Sequence, residues 1–373
     1  MGREILIFNW MDIKNPKAGG QEKYCYEIAK RLTRDDFNVK WITSRFKGGK
    51  RSETYDGINV IRVGNIYTVY VLSFLEYLKY RNADFVFVSI NAIPFLVPFH
   101  RKRRIIMLHH RIGFKIMKAK IGILGIVSLL LQERFNPMIY GKDFVITNSE
   151  SSREEFSSMG YRNVSVVKLG VDLPRITDYP KENLIVSPGP VKPWKHHDWA
   201  IEAFSGVENS WKLVIFGSYE NEEYRNHLEE LTKKLEISER VRFMGRISDD
   251  EVRKIYQKSK ICLLATEKEG WGLVAMEAQS YGCPIVAFNV DGIKDSVIDG
   301  KTGILVPFGK VSSLKEALNM LSQDRNLMEL MAKQAIARSR EYDWELCYED
   351  FKREVSKLPI SLHGIPSGQS KIL

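Results

Sequence analysis

Cysteine is scarce in this chain, and no motif pairs the few that occur. Among 373 residues there are four cysteines, with no CxxC pair and no metal-ligand spacing: Cys25, Cys262, Cys283 and Cys347. This argues against a disulfide framework and a structural zinc site, and it suits the reducing cytoplasm. A DxD motif and a metal-binding triad are also missing, so neither a metal nor another cofactor is expected.

Long apolar runs are missing as well. A bilayer-spanning helix needs about 18 consecutive apolar residues. Residues 85–99 are interrupted by Asn91, Pro94 and Pro98, and residues 121–131 are too few. The opening residues, MGREILIFNW, carry a charge within their apolar run, which predicts a first strand rather than a signal peptide.

Acidic residues are too few in the first half to balance its cations. Residues 1–177 hold 29 Lys/Arg against 16 Asp/Glu, whereas residues 178–373 hold 27 against 30. The overall formal charge of +10 therefore arises in the first half. Such an excess favours anionic partners (lipid headgroups, phosphorylated acceptors or nucleic acid), or it is simply a basic, soluble surface. No RNA- or DNA-binding module is recognisable, so we expect no nucleic-acid partner.

Part of this basic excess precedes the short apolar stretch at residues 121–131. Basic residues beside a short apolar helix predict peripheral binding to an anionic membrane surface; the alternative is a core helix with a solvated face. The cations concerned are Arg101, Lys102, Arg103, Arg104, Arg111, Lys115, Lys118 and Lys120.

The rest of the sequence alternates short β-branched apolar runs with segments of helical period. Strands are predicted at residues 5–8, 39–43, 60–63, 85–89, 105–108, 144–147, 164–168, 184–187, 212–216, 241–244, 261–265, 284–288 and 304–306. Helices are predicted at residues 21–32, 152–158, 197–204, 222–235, 249–257, 272–280, 312–322 and 341–355. Alternating strands and helices predict an α/β fold with parallel sheets covered on both faces.

The alternation starts afresh after residues 170–183, a stretch that contains Pro174 and Pro180. We therefore predict two Rossmann-like parallel-sheet domains that face each other across a cleft. The boundaries expected are a first domain at 1–177, a second domain at 178–340, a terminal helix at 341–358 and a loose tail at 359–373; the resemblance described below implies that the first is the acceptor-side domain and the second the nucleotide-sugar-binding domain. Ligands in such sheets bind beyond the carboxyl ends of the strands.

The segment Glu269-Gly-Trp-Gly272-Leu-Val-Ala-Met-Glu277 follows one predicted strand and leads into a helix. Its glycines let the backbone approach a ligand, and the free N–H groups at the helix start attract phosphate. A phosphate would repel the two carboxylates, so their expected task is to accept hydrogen bonds from sugar hydroxyls, Glu269 from the transferred sugar and Glu277 from the ribose. Alternatively, Glu269 is a favourable helix-start charge and Glu277 is merely solvated.

The run EGWGLVAMEAQSYGCPIVAFNVDGIKDSVIDGKTGILVPF resembles the donor-binding signature of retaining glycosyltransferase family 4, whose members share the GT-B fold. The two glutamates, the Gly-x-Pro before a strand, the turn at Gly292 and the closing Gly-x-Leu-Val fall in register. Further landmarks occur in the family's order, so the resemblance covers nearly the whole chain: Gly19-Gly20, Asn148-Ser-Glu-Ser151, Gly170-Val-Asp172 and Val241-x-Phe-x-Gly245.

The resemblance implies roles for residues outside this signature. It assigns Gly19 and Gly20 to the donor phosphates or the acceptor edge, although a Gly pair is also typical of an ordinary turn. His109, at the carboxyl end of a predicted strand, matches the family histidine near the transferred sugar; a structural role is the alternative. Lys195 matches the lysine that neutralises the donor diphosphate; otherwise it is a surface lysine.

One position departs from the family pattern. Family members have Gly-Arg where this chain has Gly189 followed by Pro190, which has no N–H to donate. Lys192 or Arg246 would then substitute for the missing arginine. The donor-binding residues expected are Gly19, Gly20, Gly189, Lys195, Arg246, Glu269, Gly272, Leu273, Val274 and Glu277.

The resemblance also implies an activity, the metal-independent transfer of a hexose from a UDP- or GDP-sugar to a hydroxyl acceptor. The acceptor implied is a lipid-linked glycan or an oligosaccharide, and the anomeric configuration of the sugar is retained. His109, Glu269 and Lys195 are the catalytic candidates, and the terminal helix crosses back onto the first domain. Three alternatives remain: a nucleotide-sugar-binding protein without catalysis, an inverting GT-B transferase, and a nucleic-acid-binding protein.

Overall fold

The computed structural model describes residues 3–90, 93–100, 103–108, 130–175 and 179–358. It divides into two compact units. Unit 1 comprises Met1–Gly170 and Trp344–Leu373, and unit 2 comprises Val171–Asp343. The first division lies seven residues before the expected boundary at 177, the second lies three residues after the one at 340, and the terminal helix is part of unit 1.

Unit 1 is built on an eight-stranded sheet in the order β3-β4-β2-β1-β5-β6-β7-β8. All neighbours are parallel except β3, which runs antiparallel to β4 at the edge. The order reverses direction between β1 and β5. The strands are β1 Glu4–Phe8, β2 Asn38–Thr43, β3 Ser52–Tyr55, β4 Ile58–Arg62, β5 Phe85–Ile90, β6 Arg104–Leu108, β7 Phe144–Thr147 and β8 Asn163–Val166.

Helices cover both faces of this sheet. The first four are α1 Gly20–Arg34, α2 Val69–Tyr77, α3 Asn136–Tyr140 and α4 Glu150–Ser158. Helix α4 begins where the Ser149 hydroxyl accepts the N–H of Ser152 at 3.1 Å, a common N-terminal cap. Among the short turns, Leu78–Tyr80 and Pro98–His100 are 3₁₀ and Leu131–Phe135 is a π turn. The central strands β1, β5, β6 and β7 are nearly continuous apolar runs, as expected for parallel strands buried on both faces.

Unit 2 has a fully parallel six-stranded sheet in the order β11-β10-β9-β12-β13-β14. Counted from its own first strand this is 3-2-1-4-5-6, the order of dinucleotide-binding Rossmann folds, with the reversal between β9 and β12. The strands are β9 Leu184–Pro188, β10 Lys212–Phe216, β11 Val241–Phe243, β12 Ile261–Leu264, β13 Ile285–Phe288 and β14 Gly303–Val306.

The described residues of unit 2 form seven helices, and an eighth returns to unit 1. They are α5 His197–Phe204, α6 Glu222–Lys234, α7 Asp249–Lys258, α8 Leu273–Ser280, α9 Ile293–Ser296, α10 Val311–Gln323, α11 Arg325–Ser339 and α12 Trp344–Val355. Helix α12 packs on unit 1 through Trp344, whose ring lies 6.4 Å from Tyr24 of α1, and through Phe351, whose ring lies 6.0 Å from Phe87 of β5.

Within the described residues every predicted strand and helix is present, with ends displaced by up to three residues. The short apolar helix predicted within residues 121–131 lies almost wholly outside the described residues and stays a prediction, as do most of the cations that precede it: Arg101, Lys102, Arg111, Lys115, Lys118 and Lys120. Five elements were not predicted: β3, α2, α3, α9 and α11. All four cysteines are buried and form no disulfide.

Candidate functional site

The strongest candidate site lies where the unit 2 sheet reverses its strand order. Lys195 closes the short turn Pro193–Lys195 after β9, and Glu269 follows β12. The Lys195 ammonium forms an ion pair with the Glu269 carboxylate, and each side chain is 17% exposed. The structure therefore brings together two predicted catalytic residues from opposite sides of the reversal, where open α/β sheets bind their ligands.

Backbone contacts fix the loop that carries Glu269. The N–H of Glu269 donates to the carbonyl of Asp291 at 3.1 Å, and the N–H of Glu267 donates to the carbonyl of Trp194, the neighbour of Lys195, at 3.1 Å. Gly292 has φ +82°, and a Cβ there would lie 2.3 Å from the Glu269 carbonyl oxygen. Any larger residue at position 292 would therefore collide with the Glu269 backbone and displace the loop that carries Glu269.

Helix α8 presents its N-terminus at the same edge of the sheet. Its N-cap, Gly272, has φ +80°, and a Cβ there would lie 2.6 Å from the Ser296 hydroxyl. Leu273 and Val274 form the first turn and are partly exposed. Backbone N–H groups in a first turn have no partner within the helix, so they suit an anionic ligand.

Glu277 lies one turn further along α8 and is partly buried. Its neighbour across the unit is Tyr256, whose pKa is raised well above its usual value by burial and, to a smaller extent, by the Glu277 charge. Glu277 therefore lies on the helix whose N-terminus follows the Glu269 loop, and its role toward the ribose stays a prediction.

Three glycine turns form the other side of this edge. Gly217 has φ +145°, and a Cβ there would lie 1.9 Å from the carbonyl oxygen of Gly189, so the turns after β9 and β10 touch. The Gly217 N–H donates to Gly245 at 2.8 Å, which adds the turn after β11. Arg246 follows Gly245 and is exposed. Its charge lies at the edge where Pro190 replaces the family arginine, whereas Lys192 stacks on Trp194 at 5.3 Å.

The strand-order reversal in unit 1 is also polar. The Gly19 N–H donates to Glu22 Oε2 at 2.8 Å, so Glu22 caps the start of α1, and Gly19 and Gly20 are exposed. The Gln21 amide donates to the Ser89 hydroxyl at the end of β5 at 2.6 Å. Our sequence analysis missed Glu22 and Gln21. The capping pattern, a glutamate three residues after the N-cap, was a signal that could have identified Glu22.

Glu22 is nearly fully buried and accepts two more hydrogen bonds, from the Trp10 indole at 3.1 Å and the Asn9 amide at 3.4 Å. Burial raises the pKa of Glu22 to about 7, and the hydrogen bonds from these N–H groups oppose the rise. The carboxyl therefore titrates near neutral pH within the turn that carries Gly19 and Gly20.

We expect Glu22 to make stability pH-dependent. Because its folded pKa lies above the unfolded value, its contribution is fully present below about pH 4.5 and is lost as pH rises through about 7. Relative to Glu22→Gln, the wild-type free energy of unfolding should fall by roughly 3 kcal/mol between pH 4.5 and 8. Urea unfolding of both proteins at several pH values measures this, and a difference that does not change with pH would contradict the assignment.

Two predictions from unit 1 have different outcomes. His109 lies outside the described residues, so its proximity to the transferred sugar stays a prediction. Arg104, which the sequence analysis placed in a surface cluster of cations, is buried: its guanidinium pairs with Asp143 and lies 4.5 Å from the Tyr140 ring. That part of the cluster is wrong, because Arg104 belongs to strand β6 and its charge is neutralised inside the unit.

The described part of the chain shows neither a metal-binding cluster nor a membrane-spanning helix. No group of three or more His, Cys, Asp or Glu side chains is arranged to hold a metal ion there. None of its helices is long and apolar enough to cross a bilayer.

Comparison with known proteins supports the assignment of both units to one family. The family profile "Glycosyltransferase Family 4" matches residues 18–175, and "Glycosyl transferases group 1" matches residues 173–338. A D-inositol 3-phosphate glycosyltransferase of Corynebacterium urealyticum is 36% identical over 118 residues, which cover 32% of this chain and 28% of that protein. The chain thus spans well under two thirds of the length of this curated relative.

Solved structures show the fold. Sucrose-phosphate synthase from Thermosynechococcus elongatus superposes with a TM-score of 0.76 at 18% identity, over 94% of this chain and 98% of its own. The Anabaena protein HepE, solved in complex with UDP and glucose, gives 0.74 at 18% identity, over 95% and 100%. Since the two profiles together match all but the two ends of the chain, and both units have the expected sheets, the chain belongs to glycosyltransferase family 4 and has the GT-B fold.

Proposed function

We propose that the chain is a retaining, metal-independent hexosyltransferase that uses a UDP- or GDP-sugar donor and a hydroxyl acceptor. The observation that carries the proposal is the Lys195–Glu269 ion pair at the strand-order reversal of unit 2, beside the N-terminus of α8. The printed descriptions of similar proteins support it: they include glycosyltransferases and a structure in complex with UDP and glucose.

In the proposed complex the donor diphosphate replaces the Glu269 carboxylate as the ion-pair partner of Lys195. The N–H groups of Leu273 and Val274 and the charge of Arg246 add to the binding of the two phosphates. Glu269, released from its ion pair, accepts a hydrogen bond from a hydroxyl of the transferred sugar, and Glu277 accepts one from the ribose. Fixed positive charge thereby takes the place of a divalent ion.

The proposed reaction breaks the bond between the anomeric carbon and the diphosphate oxygen and forms a bond from that carbon to the acceptor oxygen on the same face. The acceptor proton passes to the departing diphosphate, so no separate protein base is needed. The charge that develops on the diphosphate is stabilised by Lys195 and the α8 N-terminus, which are already in place before reaction. His109 is proposed to bind a hydroxyl of the transferred sugar.

The acceptor is proposed to be a lipid-linked or oligosaccharide hydroxyl, with Gly19 and Gly20 at the donor phosphates or the acceptor edge. In this structure the Gly19 N–H donates to the Glu22 carboxylate, so a phosphate that accepts from the same N–H would have to displace that carboxylate. Nucleic acid is not among the proposed partners.

Thermal unfolding with a panel of UDP-, GDP-, ADP- and dTDP-sugars in EDTA tests the donor site. One nucleotide class should stabilise unit 2, and at a ligand concentration of about 100 Kd the gain of about 2.7 kcal/mol corresponds to a rise in Tm of roughly 5 to 10 °C. The matching nucleoside monophosphate, which lacks the second phosphate, is the control and should give a smaller shift. No shift with any donor at millimolar concentration would contradict the proposal.

A further inference from the structure

Helix α2 of unit 1 is apolar on the side that faces solvent. Its sequence, VYVLSFLEY, has Val69, Ser73 and Tyr77 buried. The opposite side, with the residues flanking it, exposes large apolar side chains. We call this surface the α2 face; it consists of Tyr67, Val71, Leu72, Leu75 and Leu78, which are 80%, 68%, 39%, 55% and 41% exposed. Large apolar side chains that share one side of a helix are normally covered, and among the described residues of unit 1 nothing covers this face.

The packing of the inner side fixes which side of α2 faces out. Tyr70 packs on Phe95 with ring centroids 4.7 Å apart, and Tyr77 packs on Phe8 of β1 at 6.0 Å. The Tyr77 hydroxyl is also hydrogen-bonded to His100 Nδ1 at 2.6 Å. Helix α2 therefore cannot turn its apolar face inward without breaking a buried hydrogen bond and two aromatic contacts.

Exposed cations lie at the N-terminal end of the α2 face. The Arg45 N–H donates to the Gly64 carbonyl at 3.1 Å, and a Cβ on Gly64 would lie 2.9 Å from Leu72 Cδ1, so the loop after β2 adjoins the face. The connection between β2 and β3, residues 44–51, exposes four cations: Arg45, Lys47, Lys50 and Arg51.

The C-terminal end of the face is also basic. Lys79 and Arg81 are exposed there. The sole acid in the α2 sequence, Glu76, is neutralised by Lys79 at 2.8 Å. Because Lys79 and Glu76 cancel, Arg81 is the net positive charge at this end, and the α2 face is an apolar strip with positive charge at each end.

From this arrangement we propose that the α2 face binds the surface of an anionic lipid bilayer, with its apolar side chains among the acyl chains and its flanking cations at the headgroups. Apolar area and cations that attract acidic lipids are the two components of interfacial binding. A second copy of the chain fits less well, because two such faces in two-fold contact would bring cations against cations in either orientation. The inference does not depend on glycosyl transfer, since it uses neither the donor nor the unit 2 site.

Vesicle co-sedimentation of the full-length chain tests the proposal. We expect binding to vesicles of phosphatidylcholine and phosphatidylglycerol, and at least tenfold weaker binding to phosphatidylcholine alone or to the mixed vesicles in 0.5 M salt, where charges are screened within about 4 Å. The double variant Val71→Ser/Leu75→Ser should bind the mixed vesicles at least tenfold more weakly. The matched control, Met320→Ser/Leu330→Ser, removes two apolar side chains of similar exposure from unit 2 helices (49% and 52%) and should bind as the wild type does.

Three results would overturn the proposal. These are equal binding by wild type and Val71→Ser/Leu75→Ser, no binding of the wild type to either vesicle, or a dimer in sedimentation velocity that this double variant abolishes. The last would assign the face to a second copy. Donor-induced stabilisation, measured on the same variants, should be unchanged, so a failure of this proposal is distinguishable from a failure of the transferase proposal.

Discussion

Lys195→Ala is expected to lower the rate of nucleotide-sugar turnover by about 10²–10³-fold, the loss typical when one group that stabilises developing charge is removed. In the free protein the ion pair with Glu269 holds the Lys195 ammonium at the strand-order reversal of unit 2, so the charge is positioned before the donor diphosphate binds. The measurement is nucleoside diphosphate released per enzyme under saturating donor. Both kcat and donor affinity should fall, because the charge interacts with the bound and the departing diphosphate.

Two comparisons make the Lys195 result specific. Lys301→Ala removes an exposed lysine from a turn of the same unit and should leave turnover unchanged. Lys195→Arg keeps the positive charge but changes its shape, so it should recover part of the lost rate. If Lys195→Ala retained wild-type turnover, the diphosphate would have to be neutralised elsewhere.

Gly292→Ala is expected to reduce turnover by more than about 100-fold, because misplacing a substrate-contacting group by about 1 Å can have an effect of that size. The new Cβ would lie 2.3 Å from the Glu269 carbonyl oxygen, a backbone atom that can yield only if the whole loop moves. The backbone at Gly292, with φ +82° and ψ −43°, is also unfavourable for alanine. We therefore expect lost stability together with lost activity.

Gly300→Ala is the matched control for Gly292→Ala. It also has positive φ, +71°, but a Cβ there meets nothing within 4 Å. It should lose roughly 1–2 kcal/mol of stability from backbone strain alone and keep its turnover. Urea unfolding and turnover, measured on both variants at a temperature where each is folded, separate the two effects. Equal turnover by the two alanine variants would show that the Glu269 loop need not hold its position.

The sequence predicted what depends on apolar patterning. Strand Phe144–Thr147 lies between Asp143 and Asn148, and strand Lys212–Phe216 begins with a lysine and ends before Gly217, so the ends of both were predicted without error. Strand β3, SETY, has no apolar run because it lies at an edge and pairs with only one neighbour. Helix α2 escaped prediction because apolar residues lie on both its buried and its exposed side, so its sequence shows no clear helical period.

The sequence identified individual residues of the site but not the contacts between them. Lys195 and Glu269 were identified through a family pattern, but their ion pair joins residues 74 positions apart and depends on the strand order. The burial of Arg104 likewise depends on Asp143, 39 residues away on the chain. The pKa of Glu22 was unpredictable for the same reason, since it is raised by burial that only the folded unit supplies.

The most direct test of the account is donor turnover by the purified chain in EDTA. The donor that stabilises unit 2 is incubated with simple alcohols and monosaccharides as acceptors, and both nucleoside diphosphate and the anomer of the new glycoside are measured. We predict release of nucleoside diphosphate without added metal, a product that retains the donor's anomeric configuration, and loss of both signals in Lys195→Ala. Donor binding with no release, with or without acceptor, would contradict the enzyme assignment and leave a nucleotide-sugar-binding protein.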